Sequence, residues 1–197
     1  MKYLAFIVVF LMSFSMGGSG SVGERGYVAS KGHVVGAGLV EADKVVYLVR
    51  HGETCLDQGS NPHLSSYGRD RASELARVLM DEEIQEIYST PFYRTIETAT
   101  PISESTGKPI TQIAVQAGFV AELASTIRES TAERILISGH SNTTPALINL
   151  LIGTTLPDLT EFDFDRLYVV HLREDGTGML STLRYGAESG KPSTCTE

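Results

Sequence analysis

The sequence predicts a three-layer α/β/α domain whose mostly parallel, mixed sheet ends in a C-terminal β-hairpin. Short β-branched runs alternate with helix-period segments between residues 45 and 152, the pattern of right-handed βαβ crossovers. The first run, Val45 to Val49, is continuously apolar, as a strand covered on both faces should be. The last two runs alternate apolar and polar residues on either side of Asp175-Gly176, the signal of a tight hairpin turn.

Each element has its own local cause. After the strand at Val45 to Val49, the residues Ala72, Leu75, Ala76, Val78 and Leu79 recur at helical spacing between Ser66 and Leu79. Ile84 to Ser89 reads as a second strand, and Tyr93 to Ile102 as a helix that Pro91 opens and Pro101 limits. Ile110 to Val115 is the third strand and Val120 to Ile127 the next helix. Arg134 to Ser138 forms the fourth strand, followed by a helix from Thr144 to Ile152 opened by Pro145. Leu167 to Leu172 and Met179 to Arg184 form the closing hairpin.

Composition bounds what this fold can serve. The 197 residues carry 16 Lys+Arg against 24 Asp+Glu, a net charge of −8. At roughly 150 residues per domain this is one domain with extensions. We divide it into a leader at 1–21, a flexible Gly-rich lead-in at 22–43, a domain at 44–188 and a mobile tail at 189–197. The leader has Lys2, an apolar run from Leu4 to Met12 and small residues at 17–21, which describes a secretory signal ending at Ser21 or Ser30. The run is shorter than the ~20 residues a spanning helix needs, so a secreted or periplasmic protein is expected, touching membrane only through an uncleaved leader. The acidic balance opposes nucleic-acid binding, which needs a basic face. An anionic ligand must be drawn by a local basic pocket. Cys55 and Cys195 can pair in an oxidising compartment, but two cysteines are not a disulfide framework.

In open α/β sheets ligands bind beyond the carboxyl ends of the strands, where this chain places Arg50-His51-Gly52-Glu53 and Gly139-His140-Ser141-Asn142. A guanidinium beside an imidazole disfavours the imidazolium, leaving His51 neutral and nucleophilic. Its planar donors also suit phosphoryl oxygens. Arg94, opening the helix after the second strand, either pairs with Glu97 across one turn or binds an anion. His33, His63 and His171 occupy the lead-in, a loop and the hairpin. There is no Cys/His cluster, so no metal site is expected, and no cofactor is expected.

The run VYLVRHGET, Val46 to Thr54, resembles the signature of the histidine phosphatase superfamily, which includes the cofactor-dependent phosphoglycerate mutases. The likeness continues in order through Leu64 to Arg69 with Ala72, through STPFYRTIETA and through ISGHSN, so it spans residues 45 to about 152. The resemblance implies a metal-independent phosphoric monoester hydrolase of the histidine acid type, and the leader adds export. Its substrate would be a small-molecule or protein phosphoester. His51 would be the nucleophile and carry a transient phosphohistidine, while Arg50, Arg94 and a protonated His140 would hold the phosphoryl oxygens.

The proton donor departs from the family pattern. Members carry an acid between the second arginine and second histidine, or an Asp directly after that histidine; here Ser141 follows His140. Of Glu97, Glu104, Glu122, Glu129 and Glu133, the best placed is Glu122, after the third strand. Glu53 is expected to orient the nucleophile loop. Lacking an effective acid, the site would favour good leaving groups such as aryl phosphates, phosphoanhydrides or a protein phosphohistidine. The short spacing from Arg94 to His140 and the absence of Trp set the chain apart from the mutases and nearer the compact phosphohistidine phosphatases. A catalytically weak phosphate-binding module and a mutase-type phosphotransferase are the alternatives.

Overall fold

The computed structural model describes residues 44–189. The leader with its cleavage site, the lead-in, Cys195 and the tail beyond Ser189 lie outside the described residues. Ten elements follow in order: β1 (Lys44–Arg50), α1 (Ser66–Val78), β2 (Glu86–Ser89), α2 (Tyr93–Thr106), β3 (Ile110–Gln112), α3 (Phe119–Glu129), β4 (Arg134–Gly139), α4 (Thr143–Ile152), β5 (Arg166–Leu172) and β6 (Gly178–Arg184).

The six strands form one sheet in the order β3-β2-β4-β1-β5-β6. The first four are mutually parallel, and β5 runs antiparallel to both β1 and β6, giving the expected mixed three-layer architecture with its closing hairpin. Alternation along the central strands builds two cores. Val45, Tyr47, Val49, Ile87 and Leu136 pack with Leu75 of α1 and with Ala99 and Ile102 of α2. Val46, Leu48, Ile135 and Ile137 pack with Leu123 and Ile127 of α3 and with Leu147, Ile148 and Leu151 of α4. No helix among the described residues is long and apolar enough to cross a membrane.

Some boundaries differ from expectation for identifiable reasons. Pro101 does not end α2, which continues to Thr106 and stops at Gly107 in the left-handed conformation, φ 68°. A proline removes one helical N–H, but Ala99 and Ile102 stay buried on the same face, and packing of that face outweighs the lost bond. β3 is shorter than expected, although the Ile113 N–H still donates to the Ser89 carbonyl at 2.8 Å. Ser189, assigned to the tail, is anchored: its hydroxyl accepts the Phe164 and Asp165 N–H groups at 2.9 and 3.0 Å.

The strand order positions the site. Because β1 and β4 are parallel neighbours, with Arg50 opposite Gly139, the residues that follow them emerge side by side. Ser89 opposite Ser138 brings the end of β2, and Thr90, to the same rim.

Candidate active site

His51 leaves β1 with its N–H donating to the Gly139 carbonyl at 2.9 Å, one step beyond the ladder. The His51 and His140 rings consequently meet edge to face, centroids 5.5 Å apart. His51 is 7% exposed, and its Nδ1 lies 2.8 Å from the Gly52 carbonyl oxygen. A carbonyl only accepts, so Nδ1 carries the proton and Nε2 keeps the lone pair. Burial, with the Gly52 bond opposing and Arg50, His140 and Arg94 assisting, pushes the His51 pKa down to about 3. The ring is therefore neutral over the physiological range. Arg50 contributes as expected, but loss of water is the larger cause.

His140 sits between that ring and Phe92, 5.3 Å away edge-on. Its Nε2 is 2.8 Å from Thr90 Oγ1, which also contacts Thr95 Oγ1 at 2.9 Å. Burial, then Arg94 and Arg50, push its pKa down to about 4. The expected protonated His140 is thus corrected for the free enzyme: two nearby guanidiniums and partial desolvation both oppose the charge.

Arg50 is buried. Its guanidinium lies over the Phe164 ring, 4.1 Å from the centroid, and Nη1 donates to the Thr160 carbonyl at 2.6 Å. Its buried Nε has no partner, which leaves a charged donor unsatisfied where an anion is wanted. Phe164 also faces His51 at 6.1 Å. Arg94 stacks on Phe92, 4.6 Å from that centroid, and acts electrostatically on both imidazoles and on Arg50. The Arg94–Glu97 pair is not formed. Glu97 is engaged by His63 Nδ1 and accepts the Leu64 N–H at 2.8 Å, while Arg94 Nη1 donates to the Ser60 carbonyl at 3.4 Å and its charge is felt by both imidazoles. Arg50, His51, Arg94 and His140 are thus gathered at one end of the sheet.

Glu53 is buried and paired with Arg71 of α1, so it serves the nucleophile loop from beneath. That loop lies against α1: the Glu53 carbonyl accepts the Ser65 N–H at 2.9 Å, and Ser65 caps the helix by accepting the Gly68 N–H at 3.2 Å. A Cβ on Gly52 would come within 2.9 Å of Gly68 Cα, so both glycines are needed for the approach. Glu122 lies exposed on the first turn of α3 and accepts from Gln116 Nε2 at 3.3 Å; it does not hydrogen-bond either imidazole. Among the described residues no cluster of three or more His, Cys, Asp or Glu is arranged to hold a metal ion.

Sequence reasoning missed Thr90, Phe92, Thr160 and Phe164. Phe164 ends a loop that returns from α4, 113 positions after His51, and nothing local signals that contact; Thr90 and Phe92 flank Pro91 within the quoted second-arginine motif.

Residues 46–115 match the histidine phosphatase superfamily (branch 1). The fold resembles the protein histidine phosphatase SixA complexed with tungstate, at 22% identity and a TM-score of 0.60, covering 71% of this chain and 96% of that one. It also resembles a mycobacterial glucosyl-3-phosphoglycerate phosphatase, at 16% identity and a TM-score of 0.52, covering 73% of this chain and 99% of that one. No curated protein matches the chain at a significant level. With the RHG signature at the end of β1 and its second histidine beside the first, residues 46–115 are similar to the histidine phosphatase superfamily, and the described domain shares the fold of these solved phosphatases.

Proposed function

We propose that this protein is an exported, metal-independent phosphatase that hydrolyses phosphomonoesters through a phosphohistidine on His51. The observation that carries the reading is the neutral His51 ring, with its lone pair on Nε2, under the field of Arg50 and Arg94. Nε2 attacks phosphorus while the bond to the leaving oxygen breaks. The charge on the equatorial oxygens is met by the two guanidiniums, including the unpartnered Arg50 Nε. An incoming phosphoryl anion offsets those cations at His140, so this imidazole takes up a proton only once the site is filled. Water then attacks the phosphohistidine and regenerates the free ring.

No carboxylate among the described residues hydrogen-bonds His51 or His140. The site is therefore suited to esters with weakly basic leaving groups, and Glu122 would have to act across a distance. Structural neighbours that are phosphatases of a protein histidine and of a phosphorylated sugar derivative support a phosphoester substrate. Export rests on the leader sequence, and N-terminal sequencing of the mature protein tests it.

The deciding experiment is turnover of p-nitrophenyl phosphate and of a sugar phosphate by wild type and His51→Ala, with and without EDTA. The expected result is faster turnover of the aryl ester, undiminished by EDTA and abolished in the variant, with an alkali-stable phosphoenzyme in wild type only. Phosphate binding without turnover in wild type would instead identify a phosphate-binding module.

A further inference from the structure

Thr98 lies in α2, wholly buried. Its hydroxyl donates to the Arg94 carbonyl one turn earlier at 2.7 Å and accepts the Gly52 N–H at 2.9 Å. The first bond is ordinary, since a helical threonine commonly bonds back to the fourth residue before it. Thr100 does the same with Ile96 at 2.9 Å but takes no N–H from outside the helix. The second bond reaches across 46 positions to the nucleophile loop.

We infer that Thr98 is a positioning residue, whose hydroxyl holds the Gly52 peptide so that His51 stays in its Nδ1–H tautomer and in register with Arg94. The inference rests on the phosphatase reading above. The linkage is continuous. The Arg94 carbonyl takes the Thr98 proton, Thr98 Oγ1 takes the Gly52 N–H, and the Gly52 carbonyl takes the His51 Nδ1 proton. One hydroxyl supplies one donor and up to two acceptor sites, and here it joins the nucleophile loop to the helix turn that begins with Arg94. Gly52 is confined on its other side by Gly68, so removing the hydroxyl does not let the loop relax toward α1.

Thr98→Val preserves volume but leaves the Gly52 N–H buried and unpaired. The His51–Gly52 peptide must then turn to find a partner, and because it meets the Gly52–Glu53 peptide at the Gly52 Cα, the turn draws the Gly52 carbonyl away from Nδ1. Misplacing a reacting atom by about 1 Å can cost on the order of a hundredfold. We therefore expect kcat for p-nitrophenyl phosphate to fall about ten- to a hundredfold, with KM little changed. Thr98→Ser should restore kcat, and Thr100→Val should leave it alone. Nitrogen-15 NMR of the histidine rings should show His51 as the Nδ1–H tautomer in wild type and Thr98→Ser, and as a mixture in Thr98→Val. A folded Thr98→Val with wild-type kcat or an unchanged tautomer overturns the inference, as does a loss confined to KM. If Thr98→Val does not fold, Thr98→Cys keeps a weak donor and acceptor and should show an intermediate kcat; wild-type kcat there overturns the inference. A wild type without turnover refutes the phosphatase reading, while the tautomer measurement still decides the role of Thr98.

Discussion

The Glu53 carboxylate and the Arg71 guanidinium face each other inside the protein, each side chain 3% exposed. Arg71 Nη2 donates at 2.6 Å and Nε at 2.9 and 3.2 Å. The remaining Nη1 donates to the Tyr185 carbonyl at 2.9 Å, so one side chain ties the nucleophile loop, α1 and the chain just after β6 together. Arg71→Met leaves the Glu53 charge buried without a partner and should destabilise the fold by about 3–5 kcal/mol. Adding Glu53→Gln should recover part of that loss. Urea denaturation of the single and double variants checks both statements.

Gly68→Ala should damage activity without touching a catalytic group. A Cβ there would fall inside contact distance of the Glu53 carbonyl oxygen, and that obstacle is backbone. The nucleophile loop must move, so kcat/KM should fall more than about tenfold, with a stability loss of about 1–3 kcal/mol or more. Steady-state kinetics and thermal unfolding on the same preparation measure the two effects.

Arg50→Ala and Arg94→Ala should each lower kcat by about 10²–10³, the usual consequence of deleting a donor aimed at developing charge. Arg50→Lys should not rescue. An ammonium cannot both lie flat on Phe164 and reach the Thr160 carbonyl as the guanidinium does. Tungstate titration, followed by calorimetry, should show weakened anion binding in all three variants.

Stability should fall on acidification. The folded pKa values, about 3 for His51 and about 4 for His140, lie below the ordinary 6.5, so below pH 6.5 the unfolded chain binds protons that the folded chain refuses. The contribution is complete above pH 6.5 and is lost as pH falls through the folded values. Each buried imidazole contributes a slope of up to about 1.4 kcal/mol per pH unit, less for the partly exposed His140. The urea midpoint should therefore drop between pH 7 and pH 5, and less so in His51→Asn; equal drops would refute the assignment.

Much of this arrangement was legible from local signals. The β-branched run ending at Arg50 and the one ending at Gly139 placed His51 and His140 at strand ends, and Asp175-Gly176 announced the hairpin. These features depend on residues within a few positions of one another, where hydrophobic periodicity and turn chemistry act directly. Pro101 misled because its local penalty was weighed without the buried face formed by Ala99 and Ile102.

Partnership was decided only by the tertiary structure. That Glu97 is engaged by His63 rather than Arg94, that Glu122 faces solvent, that Phe164 lies against Arg50 and that Thr98 reaches Gly52 all follow from the order in which strands pair. The placement of β4 between β1 and β2 sets which loops share a rim. Such contacts join residues far apart in the chain, and their energies come from burial and field. The amino-acid order therefore determined which groups would stand at the ends of strands, while long-range packing determined which of them stand together and in what charge state.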